Sequence, residues 1–325
     1  MQSLVFILCT EGRDSYPEAT ATAIQSVRYS NPNLPVQVVT DPRSYRVVKE
    51  KHPVLSSLPD NWKVVNGVEG EPRKRSRHLK TSLRRLVDGR CVFLDGDVLV
   101  RKSLLSLFEL PVDLAAAVNH STPVRENQVW PSEVRMLNEL QWETPAEAYY
   151  NTGVLLLNDT EETHRFWEQW HIHWKWSVRR TGRYVDQPAF NHTLVTSPSL
   201  RFRELHNAYN AQLFANLRIA WAPVVWHFYT TAANTHRLPY LDYIEQRAGG
   251  LPHDPALVAA MCRSKHPWTD RSWAGHFLAR RGIRRGYLWP VEEYWLTGRY
   301  REAFAWWIRN KYNNLKRFVG QDGRT

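Results

Sequence analysis

The chain has few cysteines, no long apolar run and no repeat, and each absence excludes a class of protein. Only three cysteines occur in 325 residues, at Cys9, Cys91 and Cys262. They are odd in number and widely spaced, so they make neither a metal-binding series nor a disulfide framework, and a reducing, cytoplasmic compartment is expected. No apolar stretch approaches the ~20 residues a membrane span needs. The opening run Leu4-Val-Phe-Ile-Leu-Cys9 is too short for a secretory h-region and lacks a basic start. Helix-turn-helix, zinc-finger and ribonucleoprotein motifs are absent, so nucleic acid is not an expected partner. No internal repeat or low-complexity tract occurs.

What is there describes a folded protein with an anion-seeking surface. Hydrophobic residues make up 43% and charged residues 23%, the balance of a globular chain. A net charge of +11 favours nucleotides, anionic lipids or acidic glycans. Fifteen Trp and fourteen Tyr are unusual; such rings line sugar or membrane surfaces, or build a Trp-rich core. Asn119-His-Ser, Asn158-Asp-Thr and Asn191-His-Thr match the glycosylation acceptor pattern, which is short enough to arise by chance.

The apolar pattern predicts alternating strands and helices. Residues 3–9 read as a buried strand, followed by the turn-like Thr10-Glu-Gly-Arg-Asp-Ser15 and a helix from Pro17 to Tyr29. Strands follow at Val36–Val39, ended by Asp41-Pro42, and at Trp62–Val65. A basic helix over 73–88 leads to a strand at Val92–Leu94. Further on come strands at 114–118, 153–157 and 224–228, and helices near 132–140 and 160–178. This alternation implies an α/β fold with a Rossmann-like parallel sheet. The reading divides the chain into a domain over 1–250 and a helical extension over 251–325.

Four short elements carry chemistry. Asp95-Gly96-Asp97 closes an apolar strand, where ligands bind in open α/β sheets. Two carboxylates two residues apart suit a hard divalent cation, and a metal there would neutralise charge on a departing diphosphate. The plain alternative is an Asp-Gly turn. Asn151 and Thr152, before an apolar strand, offer an amide and a hydroxyl to sugar hydroxyls, or simply form a turn. Asp186 and Gln187 open a helix, where an aspartate also serves as a cap. His227, at a strand end, becomes a metal ligand only if folding brings it to the aspartates.

In this order the four elements resemble the retaining glycosyltransferases of family 8, which include glycogenin and bacterial lipopolysaccharide galactosyl- and glucosyltransferases. The resemblance covers roughly residues 1–230. It implies a GT-A fold, a UDP-sugar donor and Mn²⁺ (or Mg²⁺), with Asp95, Asp97 and His227 as metal ligands. Thr10 and Tyr16 resemble residues that hold and stack on uracil, and Lys80 resembles a lysine that reaches the donor. Asn151 and Thr152 would face the donor sugar, Asp186 and Gln187 would flank the anomeric carbon, and Asn210 would line the acceptor side. One departure is plain: the family follows its late histidine with Gly and Lys-Pro-Trp, whereas Phe228-Tyr-Thr follows His227, and Lys265-His-Pro-Trp268 is the nearest echo.

Two basic stretches complete the pattern. Arg73, Lys74, Arg75, Arg77, Lys80, Arg84 and Arg85 are expected mostly on a solvated helix face, some of them near donor phosphates. Near the C-terminus, Trp295, Tyr300, Phe304, Trp307, Ile308, Tyr312 and Leu315 recur at helical spacing among Arg and Lys over 291–318. Such a helix suits either an anionic bilayer surface or packing on the catalytic domain. The expected activity is metal-dependent transfer of a hexose from a UDP-sugar to a glycan or glycolipid hydroxyl, with retention. The alternatives are an inverting transferase with Asp186 as base, or a non-catalytic glycan-binding relative. A sugar-phosphate nucleotidylyltransferase is disfavoured, because the loop after the first strand has one glycine.

Overall fold

The structure is a computed structural model, and it describes residues 2–122, 125–212, 223–229, 239–264, 300–301 and 304–308. Its first compact unit comprises 1–229 and 243–265, and its second 230–242 and 266–325. In the second unit 300–301 and 304–308 are helical, and the Phe304 and Trp307 ring centroids lie 6.1 Å apart. The rest of the expected helix over 291–318 lies outside the described residues.

The first unit begins with β1 (Gln2–Leu8), α1 (Tyr16–Ser30), β2 (Val36–Thr40), α2 (Pro42–Lys51), α3 (Pro53–Ser57) and β3 (Asn61–Val64). It continues with α4 (Pro72–Thr81), β4 (Arg90–Leu94), β5 (Val98–Val100), β6 (Leu114–Val118), α5 (Pro131–Leu140) and β7 (Tyr150–Leu157). Then come α6 (Glu161–Thr181), α7 (Gln187–Val195), β8 (Phe202–Leu205), β9 (Ala211–Gln212) and β10 (Val225–His227). The helices α8 (Pro239–Ala248) and α9 (Pro255–Arg263) follow, so the first unit extends past residue 250.

Seven strands form one sheet in the order β3-β2-β1-β4-β7-β6-β8, and a small sheet has the order β5-β10-β9. β1 pairs in parallel with β2 and β4, whereas β7 runs antiparallel to both β4 and β6. The sheet is therefore mainly parallel, with one reversed strand at the centre.

Alternation along the strands makes two cores. Leu4, Phe6 and Leu8 point to one face with Ala23, Ile24 and Val27 of α1. Val5 and Ile7 point to the other, with Leu79, Phe93, Trp167, Trp170 and Phe190. Each buried leucine, isoleucine, valine or phenylalanine among them contributes about 1.5–3 kcal/mol by leaving water. Among the tryptophans, Trp167, Trp170 and Trp174 are buried in this second core, and Trp226 is buried elsewhere. The first three recur along α6, which starts at the Thr160 cap and ends at Gly182, whose φ of 67° suits a residue without a side chain.

The structure corrects several expectations. Asp41-Pro42 does more than end a strand. The Asp41 carboxylate accepts from the Arg43 and Ser44 amides and starts α2, with Pro42 in the first turn. The basic helix stops at Thr81 and gives way to a 3-10 turn over Leu83–Arg85. Its face is not uniformly solvated either: Arg75, Lys80 and Arg84 are buried. Arg84 donates to the carbonyls of Val87 and Gly89, while Arg75 pairs with buried Asp41. Among the described residues no helix is long and apolar enough to cross a membrane.

Candidate active site

The site lies where the two sheets meet, at the end of β4. The Asp95 amide donates to the Gly153 carbonyl at 2.8 Å, which fixes the turn against β7. On the other side the Phe228 amide donates to the Asp97 carbonyl at 2.9 Å, and His227 pairs with Val98. Asp95, Asp97 and His227 can each offer one ligand atom, and these atoms lie within 4.8 Å of one another.

The histidine is held by its neighbours. Its Nδ1 lies 2.7 Å from Asn210 Oδ1, which only accepts, so Nδ1 donates this bond and Nε2 is the nitrogen turned toward the aspartates. Nε2 is buried, has no hydrogen-bond partner and lies 3.3 Å from Asp97 Oδ1. Asn210 in turn donates to Asn151 Oδ1 at 2.9 Å. Such an outer shell fixes the ring of a metal-binding histidine. Asn210 thus lies buried behind His227, rather than open to a ligand.

A second group of charges adjoins the first. Lys80 Nζ lies 3.1 Å from Asp95 Oδ1, 3.4 Å from Asp186 Oδ2 and 3.2 Å from Thr152 Oγ1. Arg77 Nε lies 2.9 Å from Asp186 Oδ1, and Thr152 donates to Asp186 Oδ2 at 3.1 Å. Burial alone would raise the Asp186 carboxyl, but Arg77 and then Lys80 outweigh it and hold the value at about 2. Asp97 is also held below the ordinary carboxylate range, because His227 beside it outweighs burial.

Asn151 and Thr152 lie inside β7, not in a turn before it. The Asn151 amide donates to Asn119 Oδ1 at 2.9 Å and to Gln187 Oε1 at 3.2 Å, so it braces the site from behind. Of the two residues after β1, Tyr16 is 58% exposed and offers an open ring. Thr10 is buried, and its hydroxyl donates to Asp14 and accepts from the Gly12 amide, so it shapes the loop.

Three residues in this arrangement escape a reading by motif. Arg77 sits three positions before Lys80, on the same helical face, and that spacing was the available signal. Asn119 and Asn191 carry glycosylation patterns in sequence, yet both are buried. Asn191 exchanges two hydrogen bonds with the Tyr150 backbone and so fastens α7 to β7. The α6 indoles also reach the site: Trp167 donates to the Lys80 carbonyl and Trp170 to the Asp186 carbonyl, both at 3.1 Å.

The family model described as Glycosyl transferase family 8 matches residues 11–232. The chain belongs to that family. It is a glycosyltransferase with a GT-A architecture, as its site and sheet order led one to expect. No curated protein matches it significantly in sequence. Among solved structures it is similar to the galactosyltransferase LgtC with donor and acceptor sugar analogues. That match has 17% identity and a TM-score of 0.50, and covers 78% of this chain and 98% of LgtC. It is also similar to GlyE of Streptococcus pneumoniae TIGR4, with 16% identity, a TM-score of 0.51, and 83% and 66% of the two chains covered. The bifunctional glycosyltransferase WbbM has 16% identity, a TM-score of 0.53 and 77% of this chain covered; the match spans half of WbbM.

One buried acid of the transferase gives a pH prediction. Glu133 on α5 is 5% exposed. Burial first, and the Asp186 charge after it, push its carboxyl up to about 8, although a hydrogen bond from the Trp130 amide opposes them. A value above the unfolded 4.5 means that the folded state holds the proton more tightly. The associated stability is full below the unfolded value and is lost as pH rises through about 8. Between pH 5 and pH 9 the wild type is expected to lose on the order of a few kcal/mol that Glu133→Gln keeps. Urea midpoints at those two pH values measure this, and parallel pH slopes for the two proteins rule it out.

Proposed function

We propose that this transferase moves a hexose from a UDP-sugar to a glycan or glycolipid hydroxyl with retention, using Mn²⁺ or Mg²⁺ held by Asp95, Asp97 and His227. The observation that carries the reading is the convergence of these three side chains, from the turn between β4 and β5 and from β10, beside Lys80 and Asp186. The residues fit a divalent cation, because His227 Nε2 is otherwise a buried nitrogen with no hydrogen-bond partner. When bound, such an ion supplies electrostatic stabilisation of the leaving diphosphate.

The chain's own residues divide the remaining work. Tyr16 offers its open ring to the base, and Lys80 holds Asp95 at the donor side. Thr152 and Asn151 brace Asp186 and Gln187 at the anomeric carbon. A carboxyl at about 2 is ionised at neutral pH and is a weak base. Asp186 therefore suits stabilising positive charge at the reacting carbon better than taking a proton from the acceptor. This favours retention over inversion. A peripheral membrane contact through the basic aromatic segment over 291–318 would suit a glycolipid acceptor, lipopolysaccharide included.

The test is a donor screen. UDP-glucose, UDP-galactose, UDP-N-acetylglucosamine and a GDP-sugar are offered with Mn²⁺ or with EDTA, and nucleotide release is followed. Release from one UDP-sugar, lost in EDTA and in Asp97→Ala, is the expected result. Full release in EDTA removes the metal from the reading, and turnover of the GDP-sugar alone removes the uridine donor.

A further inference from the structure

Two cations line the site, and their donors are used very differently. Lys80 is 1% exposed, and its ammonium already meets Asp95, Asp186 and Thr152. Arg77 is 28% exposed, and its Nε lies 2.9 Å from Asp186 Oδ1. No hydrogen bond runs from its two terminal amines to any described residue. Asp95, Tyr16 and Asp97 also lie within electrostatic reach of its guanidinium, so Arg77 stands among the open Tyr16 ring, the aspartate pair and Asp186.

This placement defines what the open edge can take. The carboxylates of Asp95, Asp97 and Asp186 carry three negative charges, against two positive charges on Lys80 and Arg77. A divalent cation makes the cluster net positive by one, which suits an entering diphosphate. A guanidinium with both terminal amines free presents a planar fork matched to two oxygens of one phosphate. An ammonium with its donors already engaged does not.

We propose that Arg77 is a donor-binding residue, whose terminal amines grip two oxygens of the outer, sugar-bearing phosphate while Nε keeps Asp186 in place. The proposal rests on the nucleotide-sugar reading above. It assigns Arg77 two tasks on one side chain: orientation of the carboxylate and capture of the leaving group. Phosphate contact at this position brings the attached sugar beside the Arg77–Asp186 pair.

Nucleotide binding to the Mn²⁺-loaded full chain tests it, by calorimetry, with UDP against UMP and GDP against GMP. Only the diphosphates carry the outer phosphate. Arg77→Ala is expected to weaken diphosphate binding about 10- to 100-fold, the worth of a charged hydrogen-bonded pair, and to leave the monophosphate within about twofold. Arg77→Lys keeps a charge beside Asp186 but not the fork, so it should recover only part of the loss. Equal weakening of mono- and diphosphate overturns the proposal. So does unchanged diphosphate binding with a fall in kcat alone, which would make Arg77 a positioning residue for Asp186. A wild type that binds none of the four nucleotides overturns the donor reading as well. Wild-type binding that the variants share overturns only the role of Arg77.

Discussion

Gly153→Ala is expected to lower donor turnover by about 100-fold and to weaken Mn²⁺ binding to a similar degree, with the fold retained. A methyl group on Gly153 would lie 2.3 Å from His227 Cε1, 2.9 Å from its Nδ1 and 3.0 Å from Asn151 Oδ1. The first of these separations is impossible for carbon atoms, so the imidazole has to move. It is 2% exposed, and its Nδ1 is tied to Asn210, so it cannot tilt without breaking that bond. Tilting also carries Nε2 away from Asp97. The missing side chain at position 153 thus makes the space in which the His227 imidazole sits. Overpacking of this kind costs typically 1–3 kcal/mol, within the stability of an ordinary domain. Circular dichroism and thermal unfolding check the fold, while calorimetry with Mn²⁺ and nucleotide release check the site. A folded Gly153→Ala protein with wild-type metal affinity and turnover would refute this account.

The largest expected effect on stability comes from Arg75→Met, which should destabilise the protein by about 3–5 kcal/mol. Arg75 and Asp41 are 0% and 1% exposed, and Arg75 Nε meets Asp41 Oδ2 at 3.0 Å. The guanidinium also donates to the Gly70 carbonyl at 2.6 Å and to the Thr10 carbonyl at 3.2 Å. Methionine fills similar space but supplies no donors, so it leaves a buried carboxylate without its cation and two carbonyls without a partner. The loop between β1 and α1, which leads into Tyr16, loses its anchor to α4 at the same time. Asp41→Asn in the same chain should restore part of the loss, because it removes the uncompensated charge. Urea denaturation of the single and double variants measures both effects. A loss under about 1 kcal/mol in Arg75→Met would show that the pair is not an isolated buried charge pair.

Both variants act through contacts between residues distant in the chain, and this separates what could be read along the chain from what could not. The strand leading into Asp95-Gly96-Asp97 was legible because a short continuous apolar run and a strand-end ligand position are local properties. The same holds for β6, whose expected limits of 114–118 match the structure, and for the helix opened by Asp186 and Gln187. Family 8 membership rests on such local elements recurring in one order. The helix α2 was missed because Asp41-Pro42 resembles a turn until the Asp41 carboxylate is seen capping amides. The basic helix was expected on a solvated face because a run of cations gives no sign of which of them have buried partners.

Residue types, their order and the alternation of strand and helix were determined by the sequence by itself, since each depends on neighbours a few positions away. The sequence thereby determined the α/β class, the aspartate pair, and Lys80, Asp186 and His227 as candidates. Only the tertiary structure decided that His227 reaches the aspartates, that Asn210 stands behind it, and that Gly153 makes its space. It alone turned Arg77 toward Asp186, closed Thr10 into its loop, and set the α6 indoles against the Lys80 and Asp186 backbones. Those outcomes depend on strands and helices distant in the chain being packed together. Burial then decides which polar groups are left with a free hydrogen-bonding edge, and no local pattern encodes that.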